Sequence, residues 1–127
     1  MKHDVYGIGN ALVDVQSQVS DETLAQTGFD KGVMTLVDND KQQALLGQLD
    51  ADSLNRCAGG SAANTIVGIT EFGGQAAYVG KVGNDSMGQF FLDEMRGMGI
   101  SIEATSAADD PTGTCAILIT PDAQRTM

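Results

Sequence analysis

Gly59-Gly60-Ser61-Ala62-Ala63-Asn64 stands between a segment that reads as a strand and one that reads as a helix, and that order decides the fold. Residues 54–58 form the strand, two glycines turn the chain, and residues 61–72 follow as a helix that Gly73-Gly74 stops. Residues 76–82 then return as a strand. Strand, helix and strand in about thirty residues make a βαβ unit, whose crossover is right-handed and whose strands lie parallel. The turn also has chemistry. Glycines let the backbone approach a ligand closely, and the first N–H groups of a helix have no partner within it. Asn64, one turn into the helix, carries an amide that both donates and accepts. Such a site takes a polyol or a phosphate equally well. No Gly-Lys-Ser/Thr ending follows, which excludes a Walker-type loop. A Gly-Gly pair also serves simply as a tight packing turn, and these six residues alone do not separate the two uses.

Working outward, residues 5–9 form a short apolar run that ends at Gly7-Ile8-Gly9-Asn10 and reads as a buried first strand. Residues 12–19 alternate apolar with polar, the pattern of a half-exposed strand. Ser20 opens a short helix that Gly28 ends in a left-handed cap. Val33-Met34-Thr35-Leu36-Val37 reads as the next strand, and Asp38 caps a helix to about Gly47. Downstream, Asp85 or Ser86 caps a helix to about Met98. Its Met87, Phe91, Met95 and Met98 recur at helical spacing, which is a core-packing stripe. Ile102 opens a short strand, and Asp109-Asp110-Pro111-Thr112-Gly113 turns the chain. Residues 114–120 are β-rich, Pro121-Asp122-Ala123 turns again, and Arg125-Thr126-Met127 opens another strand. The expected architecture is α/β: an open βαβ sheet flanked by helices, with a small antiparallel β-strand lid at about residues 12–19 and 113–127.

Composition narrows the function. The 127 residues make one domain, with 7 basic against 17 acidic residues and a net charge of -10. Nucleic-acid binding needs a basic footprint, and anionic membranes repel this balance. No apolar run reaches the length of a membrane span. Cys57 and Cys115 stand far apart, against a disulfide framework or a zinc site. The N-terminus runs directly into a strand and does not read as a signal peptide, so a reducing cytoplasm is the expected compartment.

Gly7-Ile8-Gly9-Asn10-Ala11-Leu12 begins like a dinucleotide fingerprint. Leu12 replaces its third glycine and a strand follows instead of a helix, so an NAD-type cofactor site is rejected. What remains is a strand end that presents Asn10 and Asp14. A carboxylate accepts hydrogen bonds from two neighbouring hydroxyls of a sugar. Equally, Asp14 fits a polar residue on an exposed strand face. His3, Lys81 and Arg125 are too isolated to form a catalytic base or a phosphate clamp.

Taken together, the blocks Gly9-Asn10-Ala11-Leu12-Val13-Asp14, Gly59-Gly60-Ser61-Ala62-Ala63-Asn64 and Tyr78-Val79-Gly80-Lys81-Val82-Gly83-Asn84-Asp85-Ser86-Met87-Gly88 resemble, in order and spacing, the N-terminal blocks of PfkB-family (ribokinase-like) kinases. Pro111-Thr112-Gly113-Thr114-Cys115-Ala116 resembles the lid strand of the adenosine kinase branch. Ile66 departs from the family pattern, which has a small residue there. The resemblance implies the N-terminal portion of a longer kinase that phosphorylates a hydroxyl of a sugar or nucleoside with ATP and Mg²⁺. By it, Asn10, Asp14, Gly59, Gly60 and Asn64 line the substrate pocket. Cys115 either faces the substrate, as in an adenosine kinase-like site, or is a small buried hydrophobe. Asp85 belongs to the matched block but reads as a helix cap. The family's Gly-Ala-Gly-Asp-type motif, which carries the base and anion hole, is absent. No catalytic, cofactor-binding or metal-binding residue is therefore expected in this chain, and the chain alone is expected to be inactive. The run at 114–120 also suggests edge pairing and a homodimer through the lid strands. The alternative is a non-catalytic sugar- or nucleoside-binding module.

Overall fold

Strand β1 (Val5–Ile8) pairs in parallel with β4 (Ala76–Val79), and β4 with β6 (Ser101–Ile102), in the order β1-β4-β6. The structure, a computed structural model, describes residues 2–103, 105–107 and 109–127; the reading of the N-terminus that began at Met1 falls partly outside them. Contacts divide the chain into two units, Met1–Val13 with Cys57–Thr114, and Asp14–Arg56 with Cys115–Met127.

In the first unit, helix α3 (Ser61–Glu71) leads into β4. The strand before it, Asn55–Gly59, lies in a different sheet, so these two strands are not the parallel pair that the βαβ reading expects; β4 instead lies parallel to β1 and β6. Ala63 and Ile66 of α3 are buried. Ile66 lies so close over β1 that a Cβ at Gly7 would come within 2.6 Å of its Cγ1. The large residue that departs from the family pattern is thus accommodated by a glycine beneath it. Helix α4 (Ser86–Gly97) buries Phe91 and Met95 completely, and the Phe91 ring meets that of Tyr78 at 5.8 Å between centroids. The apolar stripe is narrower than expected, since Met98 is 40% exposed.

The single strand expected at 76–82 is broken at Gly80 into β4 and β5 (Lys81–Gly83). There the backbone runs close to the residue just after β1, and a Cβ at Gly80 would sit 2.8 Å from the Gly9 carbonyl oxygen. Strand β5 pairs in parallel with β7 (Thr105–Ala107) in a separate two-stranded ladder.

Strands β2 (Leu12–Gln18), β3 (Asn55–Gly59), β8 (Gly113–Ile119) and β9 (Arg125–Thr126) form a four-stranded sheet in the order β3-β2-β8-β9. The chain passes from one unit to the other within β2, and close to the ends of β3 and β8. In the second unit β2 alternates as its sequence demands: Val15 and Ser17 are buried, while Asp14 and Gln16 are half-buried. Helix α1 (Asp21–Thr27) is capped by the Ser20 hydroxyl and ends at Gly28 with φ of 75°. Helix α2 (Asn39–Gly47) is capped by Asp38. Strand β9 returns antiparallel to β8, with Leu118 opposite Thr126.

Two further expectations are corrected. Residues 33–37 are not a strand. Beyond the local turn from Asp30, their backbone links among the described residues are to Met127, whose N–H donates to Val33 O at 3.3 Å and whose carbonyl accepts from Thr35 N at 2.8 Å. Leu36 is 98% exposed. The β-branched composition favours extension, but no ladder forms around it. The run at 114–120 is also not an edge, because β8 lies between β2 and β9 with Ala116, Ile117 and Leu118 buried.

Candidate functional site

Gly59 ends β3 and is buried, and Gly60 then turns the chain with φ of 99° and ψ of 137°. That conformation excludes other residues, and a Cβ at Gly60 would also come within 2.6 Å of the Asn10 carbonyl oxygen. The two glycines therefore bring the end of β1, with Asn10, against the start of α3. The first intrahelical bond runs from Asn64 N to Gly60 O at 2.9 Å. Helices α1, α2 and α4 each have a side chain capping their first turn, whereas α3 has none. Its leading N–H groups, at Ser61, Ala62 and Ala63, have no acceptor within the helix. Asn10 and Asn64 are exposed, and among the described residues neither side-chain amide has a partner.

Asn10, Gly59, Gly60 and Asn64 belong to the first unit, and Asp14 and Cys115 to the second. On β2, Asp14 shares the half-buried face with Gln16. Its carboxylate meets no hydrogen-bond donor among the described residues, and burial pushes its pKa up. Cys115 on β8 is free and half-buried. Burial first, and then the Asp14 charge, push its thiol up. A thiol kept protonated is a small polarizable surface and not a nucleophile. An unmet carboxylate beside it is a ready acceptor for ligand hydroxyls.

Asp85 is fully committed to the fold. Its carboxylate accepts from Gly88 N and Thr112 N, each at 2.8 Å, and from the Thr112 hydroxyl at 2.6 Å. Burial pushes its pKa up, but these hydrogen bonds outweigh it and the net shift is downward. The Thr112 hydroxyl in turn accepts from Gly83 N at 2.9 Å.

Two supporting residues carried no signal in the sequence. The buried Tyr78 donates its hydroxyl to Gly9 O at 3.0 Å, next to Asn10. The Glu94 carboxylate on α4 accepts from Ala58 N, next to Gly59. Neither contact has a sequence signature, because each joins residues far apart along the chain.

Among the described residues no three His, Cys, Asp or Glu side chains come together as a metal site. Among them, too, no helix is long and apolar enough to cross a membrane.

The sequence matches the pfkB family of carbohydrate kinases over residues 24–127, and the chain belongs to that family. It is 34% identical to adenosine kinase from Saccharomyces cerevisiae over 119 residues, which cover 89% of this chain and 35% of that protein. The crystal structure of adenosine kinase from Sinorhizobium meliloti matches with a TM-score of 0.81 at 35% identity, over 98% of this chain and 38% of the other. A probable sugar kinase from Rhizobium etli CFN 42 matches with a TM-score of 0.83 at 32% identity, over 97% and 37%. The chain thus spans little more than a third of the length of these relatives.

Proposed function

We propose that residues 1–127 are the N-terminal, substrate-binding part of a ribokinase-like domain, with lid strands at about 12–19 and 113–127. The whole protein would phosphorylate a hydroxyl of a sugar or nucleoside, and a nucleoside in the manner of adenosine kinase is preferred. The observation that carries this reading is the uncapped start of α3, held against Asn10 by Gly60 and flanked by two unpartnered asparagine amides. Such a cluster of donors and acceptors suits vicinal hydroxyls better than a packing turn, which leaves nothing unmet.

In this proposal Asn10, Gly59, Gly60 and Asn64 contact the substrate from the first unit, with Asn64 both donating and accepting. Asp14 accepts from substrate hydroxyls, and Cys115 offers a neutral contact to the less polar part of a nucleoside. The preference for a nucleoside follows from the relatives, since adenosine kinases match along nearly the whole chain. Phosphoryl transfer needs positioning of the attacking hydroxyl and charge stabilisation around the phosphate. This chain contributes the positioning, and ATP with Mg²⁺ would be held by residues outside it.

NMR titration of the chain with adenosine, inosine, ribose and fructose tests the proposal. Adenosine is expected to move the amide resonances of Ser61 to Asn64 most. Asp14→Ala should abolish that response with little change in melting temperature, because its carboxylate accepts no hydrogen bond among the described residues. If Asp14→Ala unfolds the chain instead, Asp14 is structural. A coupled assay should detect no ADP release by the chain alone, and turnover would overturn the division of labour.

A further inference from the structure

We infer that Glu94 is a positioning residue for the glycine turn; this rests on reading Gly59 to Asn64 as the substrate contact. Strand β3 lies at the edge of its sheet, where outward N–H groups find no neighbouring strand. Ala58, the residue before Gly59, directs its N–H to the Glu94 carboxylate on α4, 36 positions away. A hydrogen bond to a charged acceptor is roughly twice as strong as one between neutral groups.

The tether is anchored at both ends. Phe91 and Met95, three residues before Glu94 and one after it, are 0% exposed, so α4 cannot shift here without disturbing the core. Two residues beyond Ala58, Gly60 turns with so little room that a Cβ there would come within 2.6 Å of the Asn10 carbonyl oxygen. The direction in which β3 enters that turn sets where the first N–H groups of α3 and the Asn64 amide point. Glu94 makes no ion pair among the described residues, whereas Arg96 on the same helix pairs with Asp93 at 3.8 Å. The hydrogen bond that the Glu94 carboxylate makes among the described residues therefore serves the turn. A carboxylate used this way acts through the backbone of Ala58 and does not touch the substrate.

Amide hydrogen exchange and adenosine titration of the chain, both followed by NMR, test this with Glu94→Ala, Glu94→Gln and Asp93→Ala. Glu94→Ala is expected to speed exchange at Ala58 by about tenfold or more. It should also speed exchange at Ser61 to Asn64 and weaken adenosine binding several-fold. Glu94→Gln keeps an acceptor oxygen of the same shape and should restore most of both effects. Asp93→Ala should change neither. Unchanged exchange in Glu94→Ala would overturn the inference, as would faster exchange at Ala58 with unaltered adenosine binding. If adenosine moves no resonance even in the wild-type chain, the proposed function fails separately. The positioning role then stands or falls on whether Glu94→Ala loosens Ser61 to Asn64 and Glu94→Gln tightens them again.

Discussion

At Gly60 two constraints coincide: a φ of 99° that strains any other residue, and an Asn10 carbonyl oxygen where a Cβ would have to be. Gly60→Ala should therefore destabilise the chain by about 1–3 kcal/mol, read from urea unfolding. It should also remove the adenosine response by pushing Asn10 away from the helix start. That Gly59-Gly60 marked a turn into a helix was legible, because the residue type itself declares the backbone. That Gly60 rests on Asn10 was not, because the two stand 50 positions apart in the sequence. Asp14 shows the same divide. Its place on a half-exposed face followed from alternation along β2. That it has no partner, and that burial raises its pKa, depended on what surrounds it. An acid with a raised pKa binds its proton more tightly in the folded chain. Its contribution therefore falls as pH rises from the ordinary 3.8 through the folded value.

Helix starts were the most legible elements. Ser20, Asp38 and Asp85 cap α1, α2 and α4 as their residue types suggest, since a cap involves only neighbours three positions on. Asp85 does more than its sequence position announces, because it also holds Thr112 in place by two hydrogen bonds. Asp85→Ala should destabilise the chain by about 2–3 kcal/mol in urea unfolding, more than an ordinary cap, and Thr112→Val should cost only the share carried by the hydroxyl, since its backbone N–H still reaches Asp85. Strands were less legible for the opposite reason. Residues 33–37 have strand composition without a ladder, and β8 has the look of an edge while lying inside its sheet. A strand is defined by its partners, which lie elsewhere in the chain.

Across the second unit, Lys31 joins α1 to the turn between β8 and β9 through Asp21 at 2.6 Å and Asp122 at 2.7 Å. Lys31, together with the Thr120 hydroxyl, holds the Asp122 carboxyl down to about 2, from an ordinary 3.8. The stability this carries is complete above pH 3.8 and disappears as pH falls toward 2. Lys31 is shifted upward, so its contribution is complete below its ordinary 10.5 and disappears as pH rises through the folded value. Melting temperature measured against pH should therefore fall less steeply on the acid side in Asp122→Asn than in the wild-type chain. We propose a homodimer through the lid strands, with β9 as the outer lid strand because β8 is already paired on both sides. Sedimentation across a range of concentrations measures it.

The sequence by itself determined the alternation of strands and helices, the caps, the glycine turn before α3 and the family, because each is written in residues close together or in blocks kept in register. Which strands share a sheet was decided by the tertiary structure, which separates β3 from β4. Only the tertiary structure decided that Gly60 lies on Asn10, that Ile66 fills the space over Gly7, and that Tyr78 and Glu94 reach across to hold the two strand ends. Those contacts depend on distance in space, and nothing in the local chemistry of a residue records which distant backbone will come to lie beside it.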